Sequence, residues 1–391
     1  MKYLKLVYLR KVYQFICEWI IDHCISPIFG LLPVKNTILL ESSPDLSDST
    51  KAVFDEMIRR KMNEKYKFVW YLHHNIVNPP QIKNVDYLCN KRGRLVFKYF
   101  EYTSICLISS NMFLGAHSKG QKAFYINHGS PFKSVKGYYS VPDNVDYLLT
   151  ASKIMGELLT YEMDTDIKKE VHLGLPRNDA FGRERSEIEK LFTISYKKII
   201  AWFPTYRQHK TGHRTASSNA LPIIHDRKAA VRLNDFVKER DVLIVLKPHF
   251  AQDLEYIKDM YLSNIILIDD LFFEKNGLSS YEFLNSVDAL VSDYSSVYYD
   301  YLLCDRPVAL IWEDIEEYRS DPGFALDIDY FSKGAYKIYT VSEFENFILD
   351  VVNNNDTFSQ ERKEICDIAN YSRDRKNSKR VVDFICQKAN L

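Results

Sequence analysis

The chain has 391 residues, 46% of them hydrophobic and 14% aromatic, enough to bury the cores of two domains and too apolar for a disordered chain. Lys plus Arg and Asp plus Glu both total 52, so the formal net charge is zero and the bulk balance gives no basis for a nucleic-acid partner. Seven cysteines (17, 24, 89, 106, 304, 366 and 386), odd in number and never in C-x-x-C spacing, argue against a disulfide framework or a zinc site and for a reducing compartment.

Residues 1–35 stand apart. Lys2, Lys5, Arg10 and Lys11 precede an apolar stretch interrupted by Glu18, Asp22 and His23. A spanning helix needs about 20 apolar residues and tolerates central charges poorly, and no small-x-small cleavage site follows. Basic residues mixed with aromatics and aliphatics suit a helix lying in an anionic membrane interface; a helix packed on the following domain fits equally.

From Thr37 strands and helices alternate. Strands are predicted at 37–41, 68–73, 105–109, 123–127 and 146–150, with helices at 47–62, 95–102 and 151–163. The charged stretch 181–198, with G-R-E-R-S-E-I-E-K, breaks the apolar rhythm and reads as a linker. Alternation then restarts, with strands at 199–203, 242–247, 265–268, 288–292 and 307–311, and helices at 229–240, 280–286 and through Tyr301. The tail from Val341 is helical. Such a pattern predicts two doubly wound α/β units in tandem, with the active site in the cleft at the carboxyl ends of their strands.

Several segments at those strand ends carry chemistry. I-N-H-G-S-P-F-K places His128 at a strand tip beside the permissive Gly129 and the hydroxyl of Ser130. In G-L-P-R-N-D, Arg177, Asn178 and Asp179 read either as a turn or as an acceptor-binding group. Thr205 and Arg207 of F-P-T-Y-R can reach an anion, and Lys247 and His249 of K-P-H lie at a strand rim where they can neutralise a diphosphate, or where the histidine simply bonds a loop carbonyl. In A-L-V-S-D-Y-S-S a strand ends at Ser292; Asp293 or Ser295 caps the next helix, whose first amides near Ser295 and Ser296 offer an anion cradle or simply a capped helix start. D-T-D (164–166) and D-I-D (327–329) match a metal-binding spacing without following a clear strand, and the adjacent His73 and His74 point to opposite strand faces, a poor geometry for shared ligation. Neither a P-loop nor G-x-G-x-x-G is present.

Taken in order, N-H-G-S-P-F-K, G-L-P-R-N-D, F-P-T-Y-R, K-P-H and S-D-Y-S-S-V-Y-Y-D-Y-L-L-C-D-R-P resemble the successive motifs of the CDP-glycerol glycerophosphotransferase family of teichoic-acid and capsule synthesis, as do E-S-S-P-D-L-S-D-S-T-K and E-D-I-E-E-Y-R. The resemblance implies a GT-B-like fold: a membrane-associating segment (1–35), a Rossmann-like acceptor domain (36–180), a linker (181–198), a Rossmann-like CDP-donor domain (199–340) and C-terminal helices packing back on both (341–391). It implies transfer of glycerol phosphate, or a related polyol phosphate, from CDP-glycerol or CDP-ribitol to an undecaprenyl-diphosphate-linked acceptor at the cytoplasmic membrane face, with release of CMP. His128 is then the general base and His249 its partner on the donor side. Thr205, Arg207, Lys247, Ser292, Asp293, Ser295 and Ser296 bind the donor, and Gly129, Ser130, Arg177, Asn178 and Asp179 bind the acceptor. No cofactor is expected to be required, and a divalent metal stays open. Ser130 stands where the family more often has threonine, and Phe250 where a proline is frequent. A GT-B glycosyltransferase using a CMP- or UDP-sugar and a non-catalytic membrane scaffold are the competing readings. The motifs are shared by primases and polymerases, and oligomeric state is not encoded in them.

Overall fold

The computed structural model describes residues 16, 19–74, 76, 79–89, 94–110, 118–205, 221–248, 254, 257 and 259–391. Their strands form two wholly parallel sheets. The first contains β1 (Lys35–Glu41), β2 (Lys67–Leu72), β3 (Val85–Cys89), β4 (Ser104–Ser109), β5 (Lys122–Ile126), β6 (Tyr147–Thr150) and β7 (Glu170–His172), in the order β3-β2-β1-β4-β5-β6-β7. The second contains β8 (Lys198–Trp202), β9 (Val242–Leu246), β10 (Ile265–Leu267), β11 (Ala289–Ser292), β12 (Val308–Ile311) and β13 (Tyr336–Ile338), in the order β10-β9-β8-β11-β12-β13. In each sheet the opening strand is central: the chain builds outward on one side, then crosses to the other. Neighbouring loops therefore part above β1/β4 and above β8/β11, the two topological switch points.

Parallel strands covered on both faces must be apolar throughout, which is why V-L-I-V-L of β9 is buried at every position. The period-two alternation divides the first sheet's core. Ile38, Leu40, Phe68 and Trp70 pack with Val53, Phe54 and Met57 of α1 (Asp48–Arg59). Leu39, Val69 and Leu107 face the other way, towards Phe97 of α2 (Arg94–Thr103) and Leu159 of α3 (Lys153–Glu162). In the second half, α4 (Arg227–Lys238), α5 (Ser280–Ser286) and α6 (Val297–Tyr301) connect the strands. Local capping supports these starts: Ser152 accepts from the Met155 amide, Asp226 from that of Ala229, and Ser279 with Glu282 forms a capping box.

The short strands β3, β7 and β13 lie on sheet edges, where only partial burial is demanded; their sequences V-D-Y-L-C, E-V-H and Y-K-I lack the apolar run by which the other strands are read. Segment 181–198 joins the sheets but is no free tether. Its charges face solvent while Phe181 and Ile188 are buried, and the Gly182 and Ser186 amides donate to the Asn285 Oδ1 and Ser286 Oγ of α5, both at 2.9 Å. Apolar residues spaced among charges strap it to the second domain's core.

The C-terminal helices divide between the domains. In α7 (Val341–Asn353), Phe344 packs on Trp202 below the second sheet. In α8 (Ser359–Ala369), Ile365, Cys366 and Ala369 enter the core shared with α6. The chain then crosses back, and Val381, Val382 and Ile385 of α9 (Asn377–Ala389) complete the core of the first sheet.

That crossing depends on Asp179, expected from the sequence to contact an acceptor. Its carboxylate is buried and accepts from the Asn377 and Ser378 amides at the start of α9, both at 2.8 Å. It is a helix cap, because the first-turn N–H groups lack intrahelical partners. Asp179→Ala is expected to lower stability by about 0.5–2 kcal/mol, the range for lost N-caps, read as a fall in the urea midpoint at unchanged slope.

Candidate active site

β5 delivers His128 two residues past its last strand position, at the carboxyl edge of the first sheet, where the side chain is exposed. Its Nδ1 lies 3.1 Å from the Ser110 carbonyl oxygen, at the end of the neighbouring β4. A carbonyl can only accept, so in the neutral ring Nδ1 carries the proton and Nε2 presents its lone pair. That is the tautomer a general base requires. The loop then crosses to the second domain. Phe132 is buried against Tyr298, Tyr299 and Phe324, and its carbonyl accepts from the Ala325 amide at 3.1 Å.

Gly129 touches that domain directly. A Cβ there would collide with the Ser296 Oγ, lie 2.9 Å from the Ser296 Cβ and 3.4 Å from Arg177 Nη2. The fold thus brings the first domain's H-G-S-P segment against the start of α6. Ser130 is buried with a hydroxyl that finds no partner among the described residues.

Arg177 and Asn178 are expected from the sequence to hold acceptor hydroxyls, and the structure corrects this as it does for Asp179. Arg177 is buried: Nη1 donates to both Asp48 carboxylate oxygens at 3.0 Å and to the His128 carbonyl at 2.5 Å, while Nη2 donates to Asp300 at 2.7 Å. Burial opposes its charge, but the Asp300 and Asp48 carboxylates more than offset this and raise its pKa. Asn178 Nδ2 donates to Asp300 at 2.9 Å and to Asn370 at 3.2 Å. These groups clamp the domains together and act on His128 only through its backbone.

Among the expected donor contacts, Ser292 and Asp293 are likewise turned inward. Ser292 Oγ donates to the Phe203 carbonyl at 2.8 Å, and the Asp293 carboxylate accepts from the Thr205 amide at 2.9 Å and from the Thr205 hydroxyl. Asp293 therefore closes the β8/β11 switch point and fixes the loop entering F-P-T-Y-R. Ser295 and Ser296 are half-buried at the cleft; Ser295 Oγ accepts from the Val297 amide at 3.4 Å. Since α6 has five residues, an anion there would meet loop amides and hydroxyls rather than the summed dipole of a long helix. Lys247, at the end of β9, pairs with Asp270 at 2.9 Å. Arg207 and His249 lie outside the described residues.

The D-T-D and D-I-D segments have ordinary duties: Asp166 accepts from the Lys168 amide, Asp327 caps the turn at Asp329 and Tyr330, and Asp329 pairs with Arg319. His73 and His74 do part, as their alternation predicts. His73 Nε2 meets Glu41 Oε1 at 2.6 Å, and His74 Nδ1 meets Asp45 at 3.2 Å. Glu41, Asp48 and Asp300 are site residues that the sequence reading missed. The available signal was a carboxylate placed where the neighbouring pattern demands burial, as in T-I-L-L-E and V-Y-Y-D-Y-L-L.

Two Rossmann-like domains with a histidine-bearing strand edge facing a Ser-Asp-rich strand edge define a GT-B-like fold. A sequence profile of CDP-Glycerol:Poly(glycerophosphate) glycerophosphotransferases matches residues 27–387, and the chain belongs to this family. It is 26% identical over 358 residues to the teichoic acid ribitol-phosphate polymerase TarL of Staphylococcus aureus, covering 84% of this chain and 58% of TarL. It is 26% identical over 197 residues to the teichoic acid glycerol-phosphate primase of Bacillus subtilis, covering 48% of this chain and 45% of the primase. The chain thus spans about half the length of these curated relatives. A structure of the wall teichoic acid polymerase TagF superposes with a TM-score of 0.73 at 19% identity, over 98% of this chain and 97% of the other.

The Gly129–Ser296 contact is testable by a double-mutant cycle. Gly129→Ala should destabilise by about 1–3 kcal/mol, the usual cost of overpacking. Ser296→Gly in the same chain should recover the part due to the collision, leaving the cost of a side chain at the Gly129 φ of +159°; strictly additive losses in thermal denaturation would show that the two residues do not meet.

Proposed function

We propose that the chain transfers glycerol phosphate, or the related ribitol phosphate, from a CDP-linked donor to a hydroxyl of a lipid-linked acceptor in teichoic acid synthesis. One observation carries this reading: His128 stands at the carboxyl edge of the first sheet with Nδ1 committed to the Ser110 carbonyl, beside the start of α6 in the second domain. In that position Nε2 takes the acceptor's hydroxyl proton as the hydroxyl oxygen attacks the phosphorus that bears the polyol. The P–O bond to CMP breaks, CMP leaves with the electron pair, and a phosphodiester remains. The departing phosphate is offset by Lys247 at the β9 rim, by the amides and hydroxyls of Ser295 and Ser296, and by Arg207 and His249, which follow β8 and β9 in the sequence. Family membership supports the donor class, as does a TagF variant whose structure is described with CDPG.

His128→Gln is expected to lower CMP release by about 10²-fold or more, the scale of lost general-base catalysis, with CDP-glycerol affinity largely kept. Turnover near that of the unmodified protein would remove His128 from this role.

The acceptor's lipid carrier places the reaction at a membrane, and the N-terminal region offers a surface for it. Among the described residues no helix is long and apolar enough to cross a membrane. Ile16, Trp19, Ile20, Ile28, Leu31 and Leu32 are nonetheless exposed, Leu31 at 85%, and Leu95 and Val96 at the start of α2 are exposed as well. Phe29 meets Tyr99 of α2 edge-on at 5.7 Å, which docks this segment on the first domain. It both packs on the domain and keeps an apolar side outward, as a helix lying in a lipid interface does. Residues 1–15 lie outside the described ones. The triple variant Ile28→Asp, Leu31→Asp, Leu95→Asp should lose flotation with anionic phospholipid vesicles; flotation equal to the parent would refute the membrane surface.

A further inference from the structure

The proposed reaction uses the edge of β5 and leaves the β1/β4 switch point of the same sheet unassigned. That crevice has a built floor. Glu41, the last residue of β1, is fully buried; Oε2 accepts from the Ser109 hydroxyl at 2.5 Å across the switch point, and Oε1 meets His73 Nε2 at 2.6 Å on the other side. Strand register aligns Tyr71, Glu41, Ser109 and Tyr125 in one row, so His73 and His128 stand two and three residues beyond the same level. Three inter-strand steps separate them, roughly 14 Å at the usual spacing.

A buried carboxylate must be paired, and the Glu41 hydrogen bond, opposed by partial burial and aided by the Asp45 charge, raises the His73 pKa. Among the described residues, the groups facing the ring are Glu41 from β1, Asp45 from the loop after it, and the Tyr71 ring from its own strand. Both Asp45 oxygens are engaged by the His73 and His74 amides, at 2.8 and 2.9 Å. When the ring is protonated, its charge is met on the inner side by Glu41. Its Nδ1–H is the remaining donor, on a side chain 28% exposed.

We propose that the Glu41-held imidazole of His73 is a positioning residue that binds a phosphodiester of the acceptor chain, on the far side of the switch point from His128. This rests on the polyol-phosphate reading above. A charge-assisted N–H on a rigid dyad suits an anionic oxygen, and the distance from His128 is too long for the reacting hydroxyl itself. What reaches His73 is the part of the acceptor behind its reacting end, which in a polyol-phosphate chain carries a phosphodiester at each repeat. His73 never touches the reacting atoms.

The test uses the full chain, CDP-glycerol, and two soluble acceptors of equal length: an oligomer of glycerol phosphodiesters and an uncharged oligoglycerol. His73→Gln should raise the KM for the charged oligomer about tenfold, well beyond any change in kcat, in the KM for CDP-glycerol or in the KM for oligoglycerol. His73→Arg should restore it. For the parent protein the charged oligomer should bind progressively less well as pH rises through the His73 pKa, whereas His73→Arg stays flat. Glu41→Gln should move that loss to lower pH. An unchanged KM for the charged oligomer in folded His73→Gln, an equal loss with oligoglycerol, or a loss confined to CDP-glycerol would each overturn the assignment. If the parent releases no CMP from CDP-glycerol, the function reading fails by itself; calorimetry of the charged oligomer with parent and His73→Gln then judges the subsite alone.

Discussion

Arg177 carries a positive charge that water does not reach, and everything at the cleft is arranged around neutralising it. One carboxylate comes from Asp48 at the start of α1 and the other from Asp300 in α6, so the guanidinium has its full set of partners only when both domains are in place. Removing one partner of a buried pair typically costs about 3–5 kcal/mol, because the remaining charge is stranded. The same guanidinium holds the His128 carbonyl. Domain register and the position of the histidine are thereby set by one side chain. The Tyr281 ring, 4.9 Å from the Arg177 guanidinium carbon, walls off the other side, and the Tyr281 hydroxyl donates to Asp300 at 3.2 Å.

Around this clamp the two domains solve the same problem differently. At each switch point a buried carboxylate at a strand end is closed by a hydroxyl from across the gap: Glu41 by Ser109, Asp293 by Thr205. Asp293 also accepts from the Thr205 amide and so holds the start of the segment after β8. Glu41 has one oxygen left and gives it to His73. The first domain therefore keeps a titratable group at its crevice, while the described partners of the second domain's carboxylate belong to its own backbone and to Thr205.

The alternation of apolar runs made both sheets legible, since parallel strands buried on two faces have no polar alternative; β9 and α5 are read almost to the residue. Edge strands escaped because half-burial imposes only a weak pattern. H-G-S-P marked the strand tip and R-N-D marked a segment that matters, yet the roles of the latter inverted. Arginine, asparagine and aspartate in a Pro-containing turn look solvated, and nothing nearby in the chain reveals that Asp300 lies 123 residues away in sequence or that the Asn377 amide lies 198 away. In the sequence His73 reads only as half of an unsuitable metal pair. Its partner Glu41 is 32 residues distant, so only the strand order shows that the two are neighbours.

By itself the sequence determined the fold class and the motif order and put His128 at a strand tip, because local patterning and residue chemistry specify strands, turns and titratable groups without reference to distant parts of the chain. Only the tertiary structure decided which polar residues lie open at the cleft and which face each other. A buried charge is defined by its partner, and strand order and domain contact bring those partners together from far apart in the chain.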